Sequence, residues 1–126
     1  MLSLTGATGG YGTYALGFLK ALVPISDIAV LAVLMGDRWK MLIVRDLLER
    51  TMRFGELQRS VGHISQKVLT QHLRALEESG LVHREVYAEV PPRVEYSLTE
   101  LGRTLKPIHD TMAAWGNLYK KEISKA

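Results

Sequence analysis

Apolar residues recur along the middle of this chain at spacings of three and four, the pattern of helices that bury one face. Ser26 can cap a short apolar helix whose first turn carries Asp27; it is predicted to run to about Met35, with Gly36 ending it. In RWKMLIVRDLLER, Trp39, Leu42, Ile43, Leu47 and Leu48 share one side, while Lys40, Arg45, Asp46 and Glu49 take the other. A shorter helix follows with Phe54, Leu57 and Val61 inward and Gly62 as its stop. Ser65 is then a good N-cap for SQKVLTQHLRALEESG, a helix closed by Gly80. At about 100° per residue, Leu69, Leu73 and Leu76 fall on one face with Val68 beside them, and Lys67, Thr70, Gln71 and Arg74 share the opposite face.

Beyond Gly80 the character changes. LVHREVYAEVPPRVEYSLT holds two runs rich in Val and Tyr around a Pro91-Pro92 tip, which predicts a β-hairpin with a stiffened loop. Thr99 can cap a final helix in which Leu101, Leu105, Ile108, Met112, Trp115 and Tyr119 alternate by four and three. Such a stripe is either a seam for a partner helix or part of an intramolecular core. Pro107 lies inside it and is expected to kink or loosen the preceding turn.

Helices in series followed directly by a hairpin predict a mainly α fold with a β-hairpin wing (α+β), the winged helix-turn-helix plan. In that plan the motif's second helix enters a DNA major groove and the hairpin lies along the backbone. The outer face of residues 65–79 carries suitable chemistry. Gln71 can read a base edge bidentately, Arg74 and Lys67 can bond guanine or phosphate, and Thr70 can touch a thymine methyl. Ser65 and Gln66 open the helix, where free backbone amides seat a phosphate. Arg84 and Arg93 in the hairpin can add phosphate contacts. A solvated helix face without function has the same composition, so the order of elements carries the expectation.

Composition narrows the picture further. A chain of 126 residues is one domain by length, and a hydrophobic fraction of 47% with 23% charged residues is ordinary for a globular fold. The net charge of +3 and pI near 9.3 suit a polyanionic partner without requiring one. The apolar stretch from Ala21 to Met35 is broken by Pro24, Ser26 and Asp27, short of the roughly 18 residues a membrane span needs. The start lacks the basic residues of a secretory signal, so a cytoplasmic location is expected. The 126 residues hold no cysteine, which excludes disulfides, thiolate catalysis and thiol-based sensing within them. Four histidines occur without an HExxH pattern or a cysteine partner, and no metal site is expected. Trp39 and Trp115 are expected as core or interface anchors, and a pocket between dimer helices could hold an aromatic effector.

The segments GDRWKMLIVRDLL, RFGELQRSVGHISQKVLTQHLRALEESGLVHREVYAEVPPRVEYSLTELGRTL and AAWG resemble the HxlR family of bacterial and archaeal winged-helix transcriptional regulators. The resemblance covers about residues 25–119, and its most specific runs are ISQKVLTQHLRALEESGLVHRE and VPPRVEYSLTELG. It implies a homodimer on a palindromic operator, with recognition through the helix at 65–79. Dimer contacts would come from the N- and C-terminal helices, a role that suits the stripe from Leu101 to Tyr119. The implied function is a DNA-binding regulator, expected to be a repressor in stress or detoxification control, with no enzymatic activity and no cofactor. Many family members carry a sensing cysteine just before the first helix of the domain. Counted back from Trp39, that position is Ser26 in this chain.

Ahead of this domain, assigned to residues 25–122, lies an extension of residues 1–24. Its LTGATGGYG places a GxxGxxG at Gly6, Gly9 and Gly12, and MLSLTGATGGYGTYALGFLKALVPISDIAVL resembles the opening of NmrA-like NAD(P)-dependent quinone reductases. Glycines between a strand and a helix let backbone amides approach a pyrophosphate. A dinucleotide fold also needs several parallel strands, and everything beyond Met35 is assigned elsewhere. A nucleotide-binding sensor or reductase fragment is therefore the alternative reading.

Overall fold

The computed structural model describes residues 20–125. The helices are α1 (Asp27–Leu34), α2 (Arg38–Glu49), α3 (Phe54–Val61), α4 (Gln66–Glu78), α5 (Glu100–Arg103) and α6 (Lys106–Ser124). Three strands, β1 (Met52–Arg53), β2 (Val82–Tyr87) and β3 (Arg93–Leu98), form an antiparallel sheet in the order β1-β3-β2. The predicted class, mainly α with a β-hairpin wing, is the class observed. The glycine motif at Gly6, Gly9 and Gly12 lies outside the described residues.

Local chemistry sets the helix starts. The Asp37 side chain accepts the Lys40 N–H at 3.1 Å and caps α2. Glu56 reaches back to accept the Arg53 N–H at 2.9 Å, and so occupies an amide that α3 leaves free. Ser65 accepts the Val68 N–H at 3.1 Å, which makes it the expected cap of α4. Between α3 and α4, Gly62 adopts φ 105°, a conformation that favours glycine. The Gln58 side-chain amide donates to the Ile64 carbonyl at 3.1 Å and braces that turn.

The core gathers one face of each of three helices: Ile43, Val44 and Leu47 from α2, Leu57 and Val61 from α3, and Leu69, Leu73 and Leu76 from α4. Val82, Tyr96 and Leu98 close it from the root of the sheet. A buried side chain of this size contributes roughly 1.5–3 kcal/mol over leaving it in water. Toward the tip the hairpin leaves this core, and Val86 and Val90 are exposed.

Four details depart from the sequence-based expectation. Strand β1 is two residues long, too short for a period to be read, and forms because Met52 pairs with Tyr96 at the free edge of β3. Asp46, expected on the solvent side of α2, is 6% exposed and accepts the Arg45 Nε–H at 2.8 Å. The final helix is two helices, α5 and α6. Pro107 has no N–H for a bond to the Arg103 carbonyl, so the chain breaks and the proline sits in the first turn of α6, where no partner is needed.

The stripe from Leu101 to Tyr119 divides at the same break. Leu105 is 8% exposed within the chain's own core and Leu101 packs against that core, while Ile108, Met112, Trp115 and Tyr119 remain exposed. Thr99 ties this region down: its hydroxyl donates to the Gly80 carbonyl at 2.6 Å and accepts the Gly102 N–H at 3.0 Å. Gly102 packs so closely that a Cβ there would run into the Leu81 carbonyl oxygen.

Candidate nucleic-acid interface

Because Leu69, Leu73 and Leu76 hold α4 on the core, its remaining face is presented outward as a rigid unit. Ser65, Gln66, Lys67, Gln71 and Arg74 are exposed, and Thr70 is half-buried at their edge. The chain thus brings six of the eight residues expected to contact DNA onto one helix and its cap. His72, on the flank toward α2, has its Nδ1 3.5 Å from an Asp37 carboxylate oxygen.

The hairpin's two arginines differ sharply in their surroundings. Arg84 is exposed and has no ion-pair partner among the described residues. Arg93 bonds Glu89 at 2.9 Å and Glu95 at 3.3 Å, and its guanidinium lies 4.0 Å over the Tyr87 ring. Between α4 and the sheet opens a cleft of about 300 Å³, lined by Thr70, Leu73, Arg74, Glu77, Arg84 and Tyr96.

The approach to α4 carries further exposed polar and basic residues that no helical period singles out. Arg59 on the last turn of α3, Ser60 and His63 are all exposed and directly precede the Ser65 cap. Their signal was positional: polar and basic residues flanking the glycine of a turn between two amphipathic helices. Two carboxyl groups elsewhere are held below the usual carboxylate range. Glu56 is lowered by the Arg53 backbone N–H and then by Arg50, and Asp110 by the Lys106 ammonium and then by His109.

A second surface of different character is formed by α1 and α6. Helix α6 has no buried residue, and Ile108, Met112, Trp115, Leu118, Tyr119 and Ile123 are all exposed large hydrophobics. Trp115 and Tyr119 stack with ring centroids 5.3 Å apart. Helix α1 is apolar nearly throughout yet also buries none of its residues, and Ile28 is 83% exposed. Between α1 and the α5–α6 region runs an apolar groove of about 490 Å³, with Leu31, Leu34, Leu101 and Leu105 in its walls. No described helix is long and apolar enough to cross a membrane.

A helix-turn-helix braced by a glycine turn, followed by a β-hairpin that pairs with β1 in a three-stranded sheet, defines the winged-helix DNA-binding class. The model of the HxlR-like helix-turn-helix family matches residues 34–124. The chain belongs to that family and is a transcriptional regulator with a helix-turn-helix DNA-binding fold. The uncharacterized HTH-type transcriptional regulator YdeP of Bacillus subtilis (strain 168) is 47% identical over 92 residues, 73% of this chain and 72% of YdeP. The redox regulator HypR in its reduced form superposes with a TM-score of 0.75 at 42% identity, covering 80% of this chain and 100% of HypR. The HTH-type regulator YtcD gives a TM-score of 0.73 at 41% identity, covering 77% of this chain and 99% of YtcD.

Proposed function

We propose that this cytoplasmic regulator binds a palindromic operator as a homodimer and represses transcription by occupying the promoter. The observation that carries this reading is the outward face of α4, from Ser65 to Arg74, anchored by leucines that are at most 2% exposed. The Ser65 end of the helix, with Gln66 and Lys67, approaches the backbone and the first base pair. Gln71 reads a base edge and Thr70 packs against a thymine methyl. A second copy covers the exposed stripe of α6, from Ile108 through Met112 and Trp115 to Tyr119, together with α1. Two-fold pairing of that kind presents two α4 helices to successive major grooves.

The regulated process is stress or detoxification control. HypR is described in reduced and oxidized forms, but this chain has no cysteine, and Ser26 stands at the position the family resemblance assigns to the sensing thiol. Its control therefore runs through a ligand or through its own abundance rather than through a disulfide.

Selection of bound duplexes from a random pool tests the reading, and enrichment of a palindrome is the expected result. On the selected duplex, Gln71→Ala then weakens binding by about 1–3 kcal/mol while leaving random DNA nearly unaffected. A pool without a palindromic consensus, or equal losses on both duplexes, contradicts it.

A further inference from the structure

Taking α4 as the recognition helix, we propose that the cleft between α4 and β2 seats one phosphate group of the DNA backbone. Arg74 and Arg84 hold it together, and Arg93 is a positioning residue of the wing rather than a DNA ligand. Arg74 is the ninth residue of α4, about 12 Å along the axis from the first. Base edges are met by the first turns of a recognition helix, so Arg74 stands beside the wing instead. There it lines the same cleft as Arg84, whose strand position is paired with Tyr96 in the cleft wall.

Neither arginine has an ion-pair partner among the described residues, and Thr70 lies on the same lining. Two guanidiniums opening on one cleft repel each other until an anion lies between them, and a phosphate offers each a bidentate partner. Glu77 is the single carboxylate on the lining and leaves the cleft a net positive charge.

The rest of the wing argues for the same division of labour. Residues 85–95 hold Glu85, Glu89 and Glu95 against one cation, Arg93. That cation is bonded to two of these carboxylates and stacked on Tyr87. The tip of the hairpin is thus acidic, and only its root, where Arg84 sits, attracts a phosphate.

The test is duplex binding by the full chain across a range of KCl concentrations, with a selected and a random duplex. Arg74→Ala and Arg84→Ala should weaken both duplexes equally. The double variant should lower the steepness of log K against log[KCl] by about 0.9 per bound chain, the value for one phosphate. Restoring charge with the Arg74→Lys, Arg84→Lys pair should restore the slope. Glu77→Gln should tighten both duplexes by up to about fivefold. Arg93→Ala should lower affinity without changing the slope.

Several results would overturn the proposal. A loss confined to the selected duplex makes Arg74 a base reader, and a slope loss of about 1.8 in the double variant makes two separate phosphate contacts. A slope loss in Arg93→Ala returns that residue to the backbone. Replacing chloride with inorganic phosphate at equal ionic strength should leave native affinity unchanged. Competition that the double variant abolishes would make the cleft a free-phosphate site. A native chain that binds no duplex overturns the recognition reading itself, whereas binding with an unaltered slope overturns only the seat.

Discussion

Helices α4 and α6 are both amphipathic, and they dispose of their apolar faces in opposite ways. The α4 leucines at 69, 73 and 76 are buried to 2% exposure or less, in a helix that packs against α2 and the sheet. The α6 residues Met112, Trp115 and Tyr119 are about half exposed, and no residue of that helix is buried. A helix settled by its own chain can offer its polar face as a rigid reading surface. Helix α6, whose apolar face is left in water, offers that face to a partner, and under the proposed homodimer the spacing of the two reading helices depends on association.

Breaking each face should therefore give different phenotypes. Leu73→Ala should cost about 2–5 kcal/mol of folding stability, measured by urea denaturation, because the three-helix core cannot collapse onto the space left. Trp115→Ala should cost about 2 kcal/mol of association, roughly a thirtyfold weaker dimer by sedimentation equilibrium, with far-ultraviolet circular dichroism unchanged. An equal effect of Trp115→Ala on a monomer's unfolding would erase the contrast between the helices. Ser65→Ala removes the α4 cap and should cost about 1 kcal/mol of stability.

The smallest effect concerns acid. The Glu56 carboxyl is lowered in the folded chain by the Arg53 N–H and by Arg50. The unfolded state therefore takes up the proton first as pH falls, so the contribution is complete above the ordinary carboxylate range, about pH 4.3, and is lost below it. Glu56→Gln should flatten this part of the acid limb in pH-dependent denaturation while leaving stability near neutrality only slightly changed.

The sequence made most of the fold legible because periodicity and caps agreed. Ser65, Gly62 and Gly80 bracketed α4, and the 3.6-residue period named its buried leucines. Strand β1 was invisible because two residues carry no period. Asp46 is buried although its position on the helix predicted exposure, and the adjacent Arg45 guanidinium at 2.8 Å partners one of its oxygens. Pro107 announced a disturbance, but the division of the stripe depended on Leu105 finding a place in the core. At the interface, residue type placed Arg84 and Arg93 alike. Only their surroundings, an open cleft for one and two carboxylates with an aromatic ring for the other, separate them.

Hydroxyl-radical footprinting on the selected operator tests the central claim most directly. Two protected half-sites are expected, about 34–36 Å apart, one helical turn or a multiple of it, lost together when Trp115→Ala is assayed below its dimer dissociation constant. A single protected site, or protection that survives dissociation of the dimer, would contradict it.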